Sequence, residues 1–158
     1  MFAKAFERTL VAFDIAPGEA RSLEDIERLA KATTRWDELV AAFRKAITRA
    51  GEEGDRDGTV ALRLCLGRIL VDEVGRVDDA IAEYRAVYDD DGENLDAITA
   101  LERLYRQTSR FQELLSIFEK KRDLASDPDQ RRETLYSIAR LYENELKDLD
   151  RAIETYRS

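Results

Sequence analysis

Apolar residues recur along most of the chain at intervals of three and four positions, which places them on one side of an α-helix. Leu66 and Leu70 form one such pair, and Ala80 and Tyr84 form another after a polar turn. Gly67 and Ala80 are small residues that stand among the large ones, one in each half of this segment. Because small residues let two helix backbones approach closely, the pattern predicts a helical hairpin.

The same hairpin recurs along the chain. Its second helix carries an apolar or small anchor residue, and these anchors are Ala5, Leu39, Ala80, Leu114 and Ala152. Their spacings are 34, 41, 34 and 38 residues, which is typical of repeats built from two helices. The pattern therefore predicts an all-α fold, an α-solenoid of antiparallel helix pairs with about nine helices.

The breaks in the pattern predict where the helices begin and end. The predicted helices cover residues 2–15, 20–33, 36–50, 59–74, 77–89, 95–107, 111–125, 131–146 and 149–157. Ser22, Asn94 and Asp127 are the predicted caps, because short polar side chains accept hydrogen bonds from the first free amides of a helix. Residues 51–58 are predicted to be a polar connection, and the hairpin turns before Ala80 and Ala152 each carry one extra residue.

In the C-terminal copy, Leu135-x2-Ile138-Ala139-x2-Tyr142 is followed by Ala152-x3-Tyr156, with Leu135 in place of an opening Trp. This resembles the tetratricopeptide repeat, in which W-x2-L-G-x2-Y precedes A-x3-F every 34 residues. The resemblance extends over nearly the whole chain. It departs from the family where Glu27 and Glu102 replace the usual glycine.

The resemblance implies a right-handed superhelix and a concave groove that binds partners. It divides the chain, as a single repeat domain, into a half repeat (1–17) and four repeats (19–51, 58–91, 94–126 and 130–158). It also makes Tyr84, Tyr105, Tyr142 and Tyr156 part of the core. Because the pattern begins and ends inside a repeat, we expect a fragment of a longer solenoid, with Phe2, Phe6, Ile153 and Tyr156 on bare end faces.

Composition and charge narrow the range of functions. The net charge of −8 argues against binding to nucleic acid or to an anionic membrane. Glu7 and Asp14 interrupt the N-terminal apolar segment, so no signal peptide is predicted and we expect a cytoplasmic protein. Cys65 is the single cysteine and lies in an apolar run, which favours a buried structural thiol.

Chemistry-bearing motifs are lacking. The chain has no histidine and one cysteine, which excludes a histidine-based triad and a cysteine-rich zinc site. Asp55, Asp57 and Gly58 weakly resemble a calcium loop, but Leu64 stands where the bidentate glutamate is needed. We therefore expect no enzyme activity, no metal site and no cofactor.

The informative polar feature is a column of arginines, one directly after the small or acidic residue of each first helix. It consists of Arg28, Arg68, Arg103 and Arg140. By the resemblance, this column and its neighbours line the groove. The predicted partner-binding residues are Arg28, Lys31, Leu64, Arg68, Thr99, Arg103, Arg106, Tyr136 and Arg140. A basic column favours acidic partners, although these arginines are equally explained as solvated or as paired with acids on adjacent helices.

The predicted function is a non-enzymatic module or scaffold for protein–protein interaction, which presents a groove to a peptide or helix. The alternative is a structural segment of a larger repeat protein that self-associates through its open ends. A third possibility, RNA binding by helical pairs, is disfavoured by the net negative charge.

Overall fold

The computed structural model describes all 158 residues, apart from the side chain of Ala20. The α-helices in this part of the chain are α1 (Phe2–Ile15), α2 (Ala20–Thr33), α3 (Trp36–Glu52), α4 (Arg56–Ile69), α5 (Val77–Asp90), α6 (Leu95–Gln107), α7 (Phe111–Leu124), α8 (Pro128–Leu141) and α9 (Leu149–Arg157). The described residues form no β-strand, which confirms the predicted all-α class. Among them, no helix has both the length and the apolarity that crossing a bilayer requires.

The chain folds into two compact units, Met1–Val87 and Tyr88–Ser158. In the first unit, α3 packs against α1, α2 and α4, and α1 also packs against α2. In the second unit, α7 lies against α6 and α8, and α8 also packs against α9. Within each unit, these consecutive helices are thus neighbours in space, as in a helical repeat protein.

In the repeat pattern, α2, α4, α6 and α8 are the first helices of the pairs, and α1, α3, α5, α7 and α9 are the second helices. The anchors Leu39, Ala80, Leu114 and Ala152 are buried. The other anchor, Ala5, is half-buried. The positions that set the repeat spacing therefore also form the packed core of each pair.

The two hairpins that carry an extra residue end their first helices in the same way. α4 continues as one π-helical turn over Leu70–Val74, and α8 as one over Tyr142–Leu146. Gly75 and Lys147 then adopt left-handed conformations, with φ of 75° and 55°. In both, the following amide donates to the first carbonyl of the π turn, at 2.8 and 2.9 Å. The wider turn absorbs the extra residue, so the anchors after it are still buried.

Several helices are preceded by a residue with a short acidic or amide side chain, which accepts a hydrogen bond from a backbone amide of the first turn. These caps are Asp55 (α4), Asn94 (α6), Asp127 (α8) and Asp148 (α9). The predicted caps Asn94 and Asp127 are thus confirmed. The predicted Ser22 cap is wrong, because α2 already begins at Ala20 and its preceding residue, Glu19, makes no side-chain cap bond.

The predicted polar connection over residues 51–58 is shorter than expected. α3 extends to Glu52 and α4 begins at Arg56. The carboxylate of Asp55 accepts the amide of Gly58 at 2.9 Å and so starts α4 three residues early. Asp55 therefore serves as a helix cap in this segment.

One prediction about the end faces, that of Phe6, and one about the core, that of Tyr156, are wrong, whereas the exposure of Tyr156 agrees with its predicted place on an end face. Phe6 is buried, because α2 packs on α1 and the guanidinium of Arg35 lies 4.8 Å from the centre of its ring. Tyr156, predicted to be core, is 45% exposed, because it lies on the face of α9 that is open to solvent. Phe2 and Ile153 are exposed. The other tyrosines assigned to the core, Tyr84, Tyr105 and Tyr142, are buried.

Candidate partner-binding surface

The nine residues predicted to bind a partner all lie on first helices, and they are called the first-helix residues below. The first unit carries Arg28 and Lys31 on α2, and Leu64 and Arg68 on α4. The second unit carries Thr99, Arg103 and Arg106 on α6, and Tyr136 and Arg140 on α8. Leu64 is half-buried and the other eight are exposed, so all but one are accessible to a partner.

In the first unit, acidic side chains of neighbouring elements hold two of the basic residues. The Nη2 atom of Arg68 lies 2.5 Å from a carboxylate oxygen of Glu27 on α2. The Nζ atom of Lys31 lies 3.4 Å from a carboxylate oxygen of Glu73 in the π turn after α4. These ion pairs join the first helices of successive repeats, and they partly neutralise the basic column.

Arg28 belongs to the same column but has a different partner. Its guanidinium lies 3.2 Å from Asp25, one turn earlier on α2, and both side chains are largely exposed. An exposed pair within one helix contributes little to stability. Arg28 is therefore held less firmly than Arg68.

Glu27 connects Arg68 to the single cysteine. The Sγ atom of Cys65 lies 3.8 Å from a carboxylate oxygen of Glu27. Burial, and then the negative charge of Glu27, raise the pKa of the Cys65 thiol. Burial disfavours the charged form of Arg68, but its hydrogen bond to Glu27 raises the pKa of the guanidinium above its ordinary value. The thiol is thus kept protonated beside a fixed ion pair.

In the second unit, Glu102 stands at the position of Glu27 but has other partners. Its carboxylate lies 2.6 Å from the Nζ atom of Lys121 on α7 and 3.3 Å from Arg106 on its own helix. Arg103 and Arg140 form no ion pair with any described residue. The basic column is therefore open in this unit.

A cavity of about 190 Å³ lies among α6, α7 and α8 of the second unit. Its apolar lining is Phe111, Leu114, Phe118 and Leu141, and its polar lining is Arg106, Ser137, Arg140, Asn144 and Glu145. The guanidinium of Arg106 lies 5.7 Å from the centre of the Phe118 ring. Arg140 of the basic column and Arg106, one turn along α6 from the column, therefore border a small space with an apolar wall.

Tyr136 contacts the last helix. Its ring meets the ring of Tyr156 on α9 edge-on, with 5.6 Å between centroids. The hydroxyl of Tyr156 donates to Glu143 at 3.1 Å, and partial desolvation together with that carboxylate raises the pKa of Tyr156. Tyr136 and Tyr156 thus form an exposed aromatic pair on the solvent-open side of α8 and α9.

The partners of the basic column were not identified from the sequence. Glu27 and Glu102 depart from the glycine of the family, and pairing of the arginines with acids on adjacent helices is one of the interpretations that the sequence allows, as found for Arg68. The position of these glutamates could have indicated their partners. Other repeats have Gly67 or Ala139 there, next to a packed helix, so the carboxylate must extend to the edge of that contact. A carboxylate at that point requires a cation on an adjacent helix.

These observations define the class of the protein, a helical repeat protein built from paired antiparallel helices. The model of the tetratricopeptide repeat family matches residues 97–132, which span α6, α7 and the start of α8. The match confirms the resemblance to this family over that stretch. Tetratricopeptide repeats are in general protein–protein interaction modules. No curated protein matches the sequence of the chain.

Proposed function

We propose that the chain is a non-enzymatic module that binds a peptide or a helix of another protein along the first helices of its units. The observation that carries the proposal is the tetratricopeptide repeat match over α6 and α7, whose first helix bears three of the nine first-helix residues. In such a module, apolar contacts hold the partner and charged side chains select it.

The charge of the first-helix residues supports an acidic partner. Six of the nine are Arg or Lys, although the whole chain has a net charge of −8. Arg103 and Arg140 are exposed and have no ion-pair partner among the described residues, so a partner's carboxylates would not have to displace an internal one there. Exposed guanidinium groups are well suited to carboxylates, because they donate two parallel hydrogen bonds.

A peptide selection tests this proposal on the intact chain. Random peptides of about twelve residues are displayed on phage and selected against it, and the affinity of the enriched peptides is measured by fluorescence anisotropy. The double variant Arg68→Glu/Arg103→Glu should weaken binding by about tenfold or more, because it reverses charge on a first helix of each unit. A selection without enriched peptides would contradict the proposal.

The matched control reverses charge on second helices. Arg44 on α3 and Arg157 on α9 are both exposed arginines, and Arg44→Glu/Arg157→Glu makes the same change in net charge. If the peptides bind on the first helices, this control variant should retain its affinity for them within about twofold. Equal losses in both double variants would show a general charge effect instead.

A second candidate function is a scaffold segment that self-associates through its open end faces. Large apolar side chains are exposed near both ends of the chain. They are Tyr136 on α8, Ile153 and Tyr156 on α9, and Phe2 on α1. Sedimentation of the chain at rising concentration tests this function. Association that Ile153→Lys/Tyr156→Lys abolishes would support it, and a monomer at all concentrations would exclude it.

A further inference from the structure

Equivalent positions in the two units make different ion pairs. Arg68 and Arg140 occupy the same place in their first helices, and Glu27 and Glu102 occupy the same place one repeat earlier. In the first unit Arg68 and Glu27 are 2.5 Å apart. In the second unit the corresponding pair is not formed, and Arg140 has no ion-pair partner among the described residues.

The two units also differ at one residue of the intervening second helix. Lys121 on α7 stands where α3 has Ala46, seven positions after the anchor of each helix. The Nζ atom of Lys121 lies 2.6 Å from Glu102 and draws this carboxylate to α7. Ala46 has no such group, so Glu27 remains available to Arg68. Glu102 is thus paired with Lys121 in the second unit, and Arg140 is open.

A second basic position, where two successive first helices meet, also forms an ion pair between repeats in the first unit only. Lys31 and Arg106 are equivalent, and Glu73 and Glu145 are equivalent in the π turns. Lys31 pairs with Glu73 at 3.4 Å, whereas Arg106 bonds to Glu102 of its own helix. Glu145 has no ion pair in the described structure and borders the cavity of about 190 Å³ with Arg106 and Arg140.

We propose that this junction of α6, α7 and α8 binds a glutamate side chain of the partner. The partner's carboxylate takes the place at Arg140 that Glu27 takes at Arg68, and Arg106 lies beside it. An apolar side chain next to that glutamate enters the cavity against Phe111 and Leu141. The cavity volume suits one side chain.

Glutamate is favoured because the first unit shows which acid fits. Both cations of its junction, Lys31 and Arg68, are held by glutamate side chains. The carboxylates in these two pairs belong to side chains and not to a chain terminus. The inference rests on the proposed function, and it names the residue type and the position that the partner occupies.

The test uses the enriched phage peptides as probes. The three most enriched peptides are synthesised with blocked termini, once as selected and once with each Glu replaced by Gln. The inference predicts that the selection enriches Glu next to an apolar residue, and that the Gln versions bind about tenfold or more weakly. If a Gln version regains its affinity when its C-terminal carboxylate is left free, the site binds the C-terminus of a chain, and the inference of a glutamate side chain is overturned.

Protein variants locate the effect at the junction. Arg140→Gln should weaken the binding of the selected peptides by about tenfold. The same substitution should not change the binding of the peptides in which Gln replaces Glu. Arg44→Gln is the matched control, since Arg44 is also an exposed arginine but lies on the second helix α3 and is not one of the first-helix residues. It should change the affinity less than about twofold. Unfolding curves of each variant check that the fold is retained.

Lys121→Ala provides a test that alters no proposed ligand contact. It removes the nearer of the two cations that hold Glu102, as at Ala46 in the first unit, and frees this carboxylate to compete for Arg140. Binding of the glutamate peptides should fall about as far as in Arg140→Gln. Unchanged binding in Lys121→Ala and Arg140→Gln would overturn the inference while leaving the proposed function in place. Failure to enrich any peptide would overturn both.

Discussion

The ring of Tyr84 on α5 lies directly against Gly67 on α4. A β-carbon built on Gly67 would be 2.7 Å from the Cζ atom of Tyr84, closer than two such atoms can approach. Both residues are buried, so the ring has little space into which it can retreat. The absence of a side chain at Gly67 thus allows this helix pair to close.

Gly67→Ala is therefore expected to destabilise the chain by about 1–3 kcal/mol, since overpacking outweighs the gain in helix propensity. Gly51→Ala in α3 is the control, because nothing lies within 4 Å of a β-carbon built there. It should stabilise the chain by up to about 1 kcal/mol. Urea unfolding measures both, and a stabilised Gly67→Ala would show that the ring can move.

The left-handed residues that follow the two π turns provide a reciprocal pair of substitutions. Gly75→Ala should destabilise the chain by about 1 kcal/mol, because a β-carbon is disfavoured at a φ of 75°. Lys147→Gly, at a φ of 55°, should have a small or stabilising effect, since relief of strain opposes the added chain entropy. Thermal unfolding of both variants measures the difference. Equal losses would contradict the role given to φ.

The pKa of Cys65 makes stability depend on pH. Burial and Glu27 raise the pKa of the thiol in the folded state, so the folded chain retains a proton that the unfolded chain releases. The free energy of unfolding should therefore fall as the pH rises past about 8.5, the ordinary pKa of a thiol. Urea unfolding between pH about 7.5 and 9.5 measures this, below the ordinary pKa of tyrosine of about 10.

Cys65→Ala is the control for that pH dependence. It removes the titrating thiol, so its free energy of unfolding should fall less steeply over the same range. The comparison uses the slopes, because the substitution also changes packing. Parallel slopes in the two proteins would refute the contribution of the thiol.

Leu115 and Ile153 occupy equivalent positions, one after the anchors of α7 and α9, but differ in exposure. Leu115 is 7% exposed and Ile153 is 49% exposed. Leu115→Ala should cost about 2–5 kcal/mol, because it leaves a cavity in the core. Ile153→Ala should cost less than about 1 kcal/mol. Urea unfolding at low protein concentration measures both variants. Equal losses of stability would show that Ile153 is covered in solution, contrary to its exposure in the structure.

Much of the candidate surface could be placed from the sequence, because helix geometry fixes which residues share a helix face. One register relates Arg28, Arg68, Arg103 and Arg140, and it places each of them on a first helix, as the structure confirms. Their partners could not be placed in this way. The contact between Arg68 and Glu27 joins residues 41 positions apart, and no local pattern predicts such a pair.

The amino-acid sequence by itself determined the helices, the hairpins and the repeat, because those depend on interactions within a few residues. Asn94 and Asp127 cap the helices that directly follow them, and the extra residues before Ala80 and Ala152 appear as π turns. Tertiary structure alone decided which charges are neutralised. Glu27 pairs with Arg68 on α4, whereas the equivalent Glu102 pairs with Lys121 on α7, because packing brings a cation of a different helix within reach of each carboxylate.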